Sequence, residues 1–208
     1  MLSFQTVLPD TLELLKVLMR QPLLDQMKLV GGTSLALQYG HRRSVDLDFF
    51  GHTTEDVEEL TSMMKDCAND VVCVHHTKNI KTFFLNNVKV DVVNYDYKWI
   101  DDSVVSGGLR LASPKDIAAM KVNAVIGRGT KKDFVDIFFL LRHYSFDEIM
   151  QFYQQKYTDG SEYRALLSMT YFADAESQPM PFMFEQADWE TIKDVIKRQV
   201  EAYNKRMI

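Results

Sequence analysis

The sequence predicts an α+β protein, with a mixed β-sheet in the first half of the chain and helices clustered in the second. Three observations carry that expectation. Short β-rich runs recur between residues 28 and 93, separated by turn residues. From Ser113-Pro114 onward the apolar residues recur at helical spacing. Hydrophobic residues make up 46% of the 208, enough to build a core. The division expected from this pattern is a catalytic core over 1–112 and a helical region over 113–208.

The elements follow in order. Asp10 and Glu13 have capping-box spacing, and Leu12, Leu15 and Leu18 continue at helical intervals until Pro22 interrupts them. Residues 28–30 read as a short strand ended by Gly31-Gly32, and 33–39 as a helix closed by Gly40. Residues 45–50 read as a strand and 54–67 as a helix. Residues 71–75, 80–85 and 88–93 are β-rich. Asn86-Asn87 suits a tight hairpin, because asparagine tolerates positive φ. Ser113 is the expected N-cap of the next helix, with Pro114 at its first position and Asp116 completing the cap. Asp159-Gly160 and the Pro179/Pro181 stretch break the later helices. Tyr153, Tyr157, Tyr171 and Phe172 are expected in their core.

Composition excludes several classes. The formal net charge of -5 argues against a generally nucleic-acid-binding protein, though a local basic patch remains open. Cys67 and Cys73 have neither CxxC spacing nor a histidine cluster, which argues against a zinc site or a disulfide framework. No signal-peptide pattern and no membrane-length apolar run is present, so a cytoplasmic location is expected.

The chemistry begins at Val45-Asp46-Leu47-Asp48-Phe49. Residues two apart in a strand share a face, so Asp46 and Asp48 point together, away from Val45, Leu47 and Phe49. Paired carboxylates suit Mg²⁺ or Mn²⁺, or they form a solvated strand face. In Val88-Lys89-Val90-Asp91-Val92 the valines form the apolar face and Asp91 points oppositely. If the two strands are neighbours, Asp91 completes a three-carboxylate cluster able to grip two metal ions. Gly31-Gly32-Thr33-Ser34 opens a helix after a short strand. It is either a phosphate cradle, with a hydroxyl from Thr33 or Ser34 as an added donor, or an ordinary tight turn. Lys121 shares a helical face with Ile117, Met120 and Ala124, and either snorkels or reaches an anion. Asp133 and Asp136 flank the apolar stripe of the following helix, at the end where acids are favourable.

Taken together, GGTSLALQYGHRRSVDLDFF resembles the signature of the AbiEii nucleotidyltransferase toxin family, a branch of the polymerase-beta-like superfamily. KVDVV is similar to that family's third-carboxylate strand, and AAMKVNAVIGRGTKKDFVDIFFLL to its downstream helical motif. The likeness runs from about Leu29 to about Leu141. It implies a polymerase-beta-like core with a helical C-terminal region that completes the nucleotide site. It implies phosphate binding by Gly32 and Thr33, with Gly31 and Ser34 expected beside them in the nucleotide site, metal binding by Asp46, Asp48 and Asp91, with Asp91 as base or third ligand, and a triphosphate contact by Lys121. Asp133 and Asp136 match the last motif and are expected among the nucleotide-binding residues. Thr33 stands where the wider superfamily usually has serine, and the helical region is shorter than in many relatives.

The implied reaction moves a nucleoside monophosphate from an NTP to an acceptor, with Mg²⁺ or Mn²⁺, releasing pyrophosphate. The implied setting is a type IV toxin–antitoxin or abortive-infection system, with a cognate antitoxin and RNA such as tRNA as acceptor. A basic rim of His41, Arg42, Arg43, Arg128, Lys131 and Lys132 would serve that RNA. Two other readings stand beside it: a small-molecule or protein acceptor, and a non-catalytic nucleotide-binding module.

Overall fold

The computed structural model describes residues 1–207. The chain divides into two compact units, one of residues 1–97 with 102–112, the other of residues 98–101 with 113 onward.

The first unit holds the sheet. Its strands are β1 (Lys28–Leu29), β2 (Leu47–Gly51), β3 (Val71–His76), β4 (Ile80–Leu85), β5 (Val88–Asn94), β6 (Val104–Ser106) and β7 (Leu109–Leu111), in the order β3-β4-β5-β2-β1-β7-β6. Helices α1 (Pro9–Leu18), α2 (Gly31–Tyr39) and α3 (Val57–Cys67) accompany it. Alternation decides which face is dry. Leu47 and Phe49 of β2, Val90 and Val92 of β5, and Phe83 and Leu85 of β4 are fully buried in one cluster with Leu15, Leu18 and Leu60. Each such side chain contributes about 1.5–3 kcal/mol by leaving water. The opposite face of β2 and β5 carries the carboxylates. The β4–β5 hairpin turns at Asn86 and Asn87, both at positive φ, as their residue type predicts.

Several expectations shift. Helix α1 starts at Pro9 with Leu8 as its N-cap and no side-chain cap, and Glu13 pairs with Lys16 instead of forming a capping box. Helix α2 starts at Gly31, two residues early. Asp56 forms a complete capping box with Glu59 at the start of α3, later than the expected residue 54. The β6–β7 hairpin was not legible. It turns on Gly107-Gly108, both at positive φ, and Arg110 anchors it by donating to the carbonyls of Met19, Leu24 and Met27.

The second unit is helical: α4 (Pro114–Gly127), α5 (Lys131–Leu140), α6 (Phe146–Lys156), α7 (Glu162–Met169), α8 (Ala173–Glu176) and α9 (Trp189–Met207). Ser113 caps α4 by accepting from Asp116 N at 3.1 Å, and Pro114 takes the first turn, where no amide donor is needed. Phe134, Phe172 and Trp189 pack ring against ring. Tyr153, Tyr157 and Phe172 are buried as expected, but Tyr171 is 57% exposed, lying beyond the end of α7. Residues 98–101 join this unit through a fully buried pair, Lys156 Nζ to Asp116 Oδ1 at 2.7 Å. Lys156 also donates to Lys98 O, and Asp116 accepts from Ile100 N.

Candidate active site

Strands β2 and β5 run parallel, with Leu47 opposite Val90, Asp48 opposite Asp91 and Phe49 opposite Val92. The buried partners on either side fix the faces, so Asp48 and Asp91 stand side by side on the other face. Thr82 of β4 continues that row beyond Asp91. Asp46 precedes the first ladder residue. Its carbonyl is taken by the Thr33 hydroxyl instead of a neighbouring strand, which is why β2 begins one residue later.

Like charges side by side on a sheet destabilise it unless a cation intervenes. Here the cation is Lys89, whose Nζ lies 2.5 Å from Asp91 Oδ2. Partial burial alone would lower the lysine's pKa. The hydrogen bond and charge of Asp91, followed by the charges of Asp48 and Asp46, outweigh that and raise it. All three predicted carboxylates therefore act on one ammonium. The other oxygen of Asp91, Oδ1, is buried with no hydrogen-bond partner among the described residues. A buried acceptor without a donor is costly, and carboxylate oxygens are the ligands that Mg²⁺ prefers. That donor set fits a divalent cation. Among the described residues, however, no group of three or more acidic, histidine or cysteine side chains is already arranged to hold one. Lys89 is the residue that sequence reasoning underused; its signal was its position two residues from Asp91, on the same strand face.

Gly31 and Gly32 bring the start of α2 up to the carboxylates. Gly31 has φ of 66°, and a Cβ there would collide with the Asp48 carboxylate. A Cβ on Gly32 would collide with the guanidinium of the buried Arg42. Val30, the N-cap of α2, supplies no capping side chain, the situation in which a helix start can receive an anion. The hydroxyls of the motif turn inward. Thr33 is 1% exposed, bonded to the Asp46 carbonyl and, at 2.9 Å, to Ser44 Oγ. Ser34 is fully buried, and its Oγ accepts from Gln38. Thr33 thus holds α2 against the segment carrying Asp46, while the Ser34 bond stays within α2.

Lys121 has a different environment from the expected one. Its Nζ lies 2.9 Å from Asp133 Oδ1 and 2.7 Å from Asp136 Oδ2, and all three side chains are buried. Asp133 also accepts from Arg128, from Thr130 Oγ1 at 2.6 Å and from Thr130 N. Burial opposes its ionisation, but Lys121 and then Arg128 hold its carboxyl well below the usual range. The two acids thus bind α5 to α4 and are not a solvated helix start. The expected basic rim is also incomplete. His41, Arg42 and Lys131 are buried, and Lys131 donates to Glu176 O; Arg128 and Lys132 are exposed.

The family model described as nucleotidyl transferase AbiEii toxin, type IV toxin–antitoxin system, matches residues 13–206. The chain belongs to the AbiEii nucleotidyltransferase toxin family. An uncharacterised protein of Aquifex aeolicus is 32% identical over 182 residues, covering 84% of this chain and 86% of its own. Among solved structures, a Helicobacter pylori protein assigned as a nucleotidyltransferase superposes with a TM-score of 0.64 at 20% identity, covering 96% of both chains. JHP933 of Helicobacter pylori gives 0.59 at 19% identity, covering 96% of this chain and 94% of its own. The antibiotic-resistance factor ANT(2'')-Ia gives 0.53 at 13% identity, over 76% of this chain and 95% of its own. The AbiEii chain therefore has the polymerase-beta-like nucleotidyltransferase fold, and it is a nucleotidyltransferase.

Proposed function

We propose that this AbiEii nucleotidyltransferase moves a nucleoside monophosphate from an NTP onto a hydroxyl of RNA such as tRNA, using Mg²⁺ or Mn²⁺. The observation that carries the reading is the parallel register that sets Asp48 beside Asp91, with the Gly31-Gly32 helix start against Asp48. Backbone N–H groups at Gly31 and Gly32 bind the phosphates, since only glycine lets them come so close. Asp46, Asp48 and Asp91 hold the metal, with Asp91 Oδ1 as the ready acceptor. Divalent cations, when bound, neutralise phosphate charge and acidify the attacking hydroxyl. The acceptor oxygen bonds to the α-phosphorus, its proton passes to Asp91, and the bond to the bridging oxygen breaks to release pyrophosphate. Lys121, which the resemblance gives to the triphosphate, has to leave Asp133 or Asp136 to reach a phosphate. Its present geometry supports holding α4 to α5.

The biological reading is that of the toxin in a type IV toxin–antitoxin pair, active in the cytoplasm, in a setting such as abortive infection and opposed by a cognate antitoxin. Each α-labelled NTP, incubated with Mg²⁺, total RNA and the protein, tests the chemistry. Label should enter an RNA band only with metal present. Label entering protein or a small molecule instead would contradict the RNA acceptor.

A further inference from the structure

Beside the carboxylate row lies a groove of ≈620 Å³, wholly within the first unit. Its walls include Leu8, Val45 and Phe84, which are 43%, 41% and 40% exposed. Val45 alternates with Leu47 and Phe49 in sequence, yet it leaves the core because the chain enters the β2 ladder only at Leu47. Three large apolar side chains thus meet in one open groove, where isolated exposed apolar residues would be unremarkable. Asp46 and Lys89 line the same groove, so it opens directly onto the proposed metal site.

Charge says what the groove receives. Asp10 and Asp46 contribute two negative groups, and the one ammonium, Lys89, is already held by Asp91. With Asp46 given to the metal, the groove wall offers a triphosphate no free cation of its own among the described residues. A neutral flat group fits it: apolar faces meet Phe84 and Val45, and its hydroxyl points past Asp46 towards the carboxylate row and Asp91. We propose that this groove seats the terminal nucleoside of the acceptor, apart from the donor phosphates at Gly31-Gly32. The inference rests on the nucleotidyltransferase reading of the site. It adds the acceptor's place and the requirement that the acceptor present an uncharged ring next to its reacting hydroxyl.

The test uses Val45→Ser and Phe84→Ser, each checked by thermal melting, with Val45→Ser as the gentler change because Val45 lies outside the ladder. The probes are a short RNA oligomer with a free 3′ hydroxyl, the four ribonucleosides, and a non-hydrolysable NTP with Mg²⁺. The expected result is at least tenfold weaker oligomer binding in a folded variant, with NTP-analogue binding unchanged. Weakened nucleosides as well would mean that one unit suffices; weakening of the oligomer alone would mean that the RNA chain contributes. Either result supports the groove as the acceptor seat. Unchanged oligomer binding, no oligomer binding by the parent, or equal weakening of the NTP analogue would overturn it. Transfer to protein with RNA ignored would overturn it too. If the parent transfers nucleotide to RNA but the folded variants keep its acceptor KM, the groove fails and the proposed reaction stands. If the oligomer binds through Val45 and Phe84 but no transfer occurs, the reaction fails instead.

Discussion

At the scale of single residues, the site depends on close approach. Gly31 combines a left-handed backbone with a position where a side chain would strike Asp48. Gly31→Ala should therefore cost roughly 1–2 kcal/mol in backbone strain alone. For a chain of this size that lowers the melting temperature by about 2–8 °C. It should also displace the Asp48 carboxylate and suppress transfer more strongly than stability. Melting and transfer measured together check this; a variant with the parent's melting point and full activity would show that the approach is unimportant. Lys89 matters at the same scale. Its ammonium relieves the repulsion among three carboxylates, which lets the row exist without metal.

At the scale of elements, α4 and α5 are joined by Lys121 with Asp133 and Asp136. Asp133 has a depressed folded-state pKa, so its stabilisation is complete above the ordinary value of 3.8 and is lost as pH falls below it. Lys121→Ala leaves two buried carboxylates without their shared partner, and breaking such a pair costs about 3–5 kcal/mol. Acid and thermal unfolding of parent and variant should show a much less stable variant at neutral pH, with the gap narrowing as pH falls below 3.8. Equal stability at pH 7 would refute the bridging role. This pairing was hidden in the sequence because acids at a helix start usually face water, and their partner lies 12 residues back from Asp133 on another helix. The strands were far more legible. Alternation marked β2 and β5, β-rich composition marked β4, and the residue types marked the Asn86-Asn87 turn. Their register was not legible, since alternation fixes a face but not a neighbour. Only the parallel pairing of β2 with β5 puts Asp48 beside Asp91. The inward turn of Thr33 was equally hidden, because it depends on where the segment carrying Asp46 runs.

At the scale of the whole molecule, an acidic chain is proposed to act on RNA. With His41, Arg42 and Lys131 buried, an extended basic surface is not what these residues supply. Local recognition at the site then carries more of the affinity, and binding should depend less on salt than for a basic protein. No helix among the described residues is long and apolar enough to cross a membrane. The central claim is that Asp48 is a metal ligand for nucleotidyl transfer, and Asp48→Asn tests it most directly. The change keeps shape and removes charge from a crowded carboxylate row, so the protein should melt at or above the parent's temperature. Label transfer from NTP, measured on the same folded sample, should fall by several orders of magnitude. A folded Asp48→Asn protein that transfers label as fast as the parent would contradict the account.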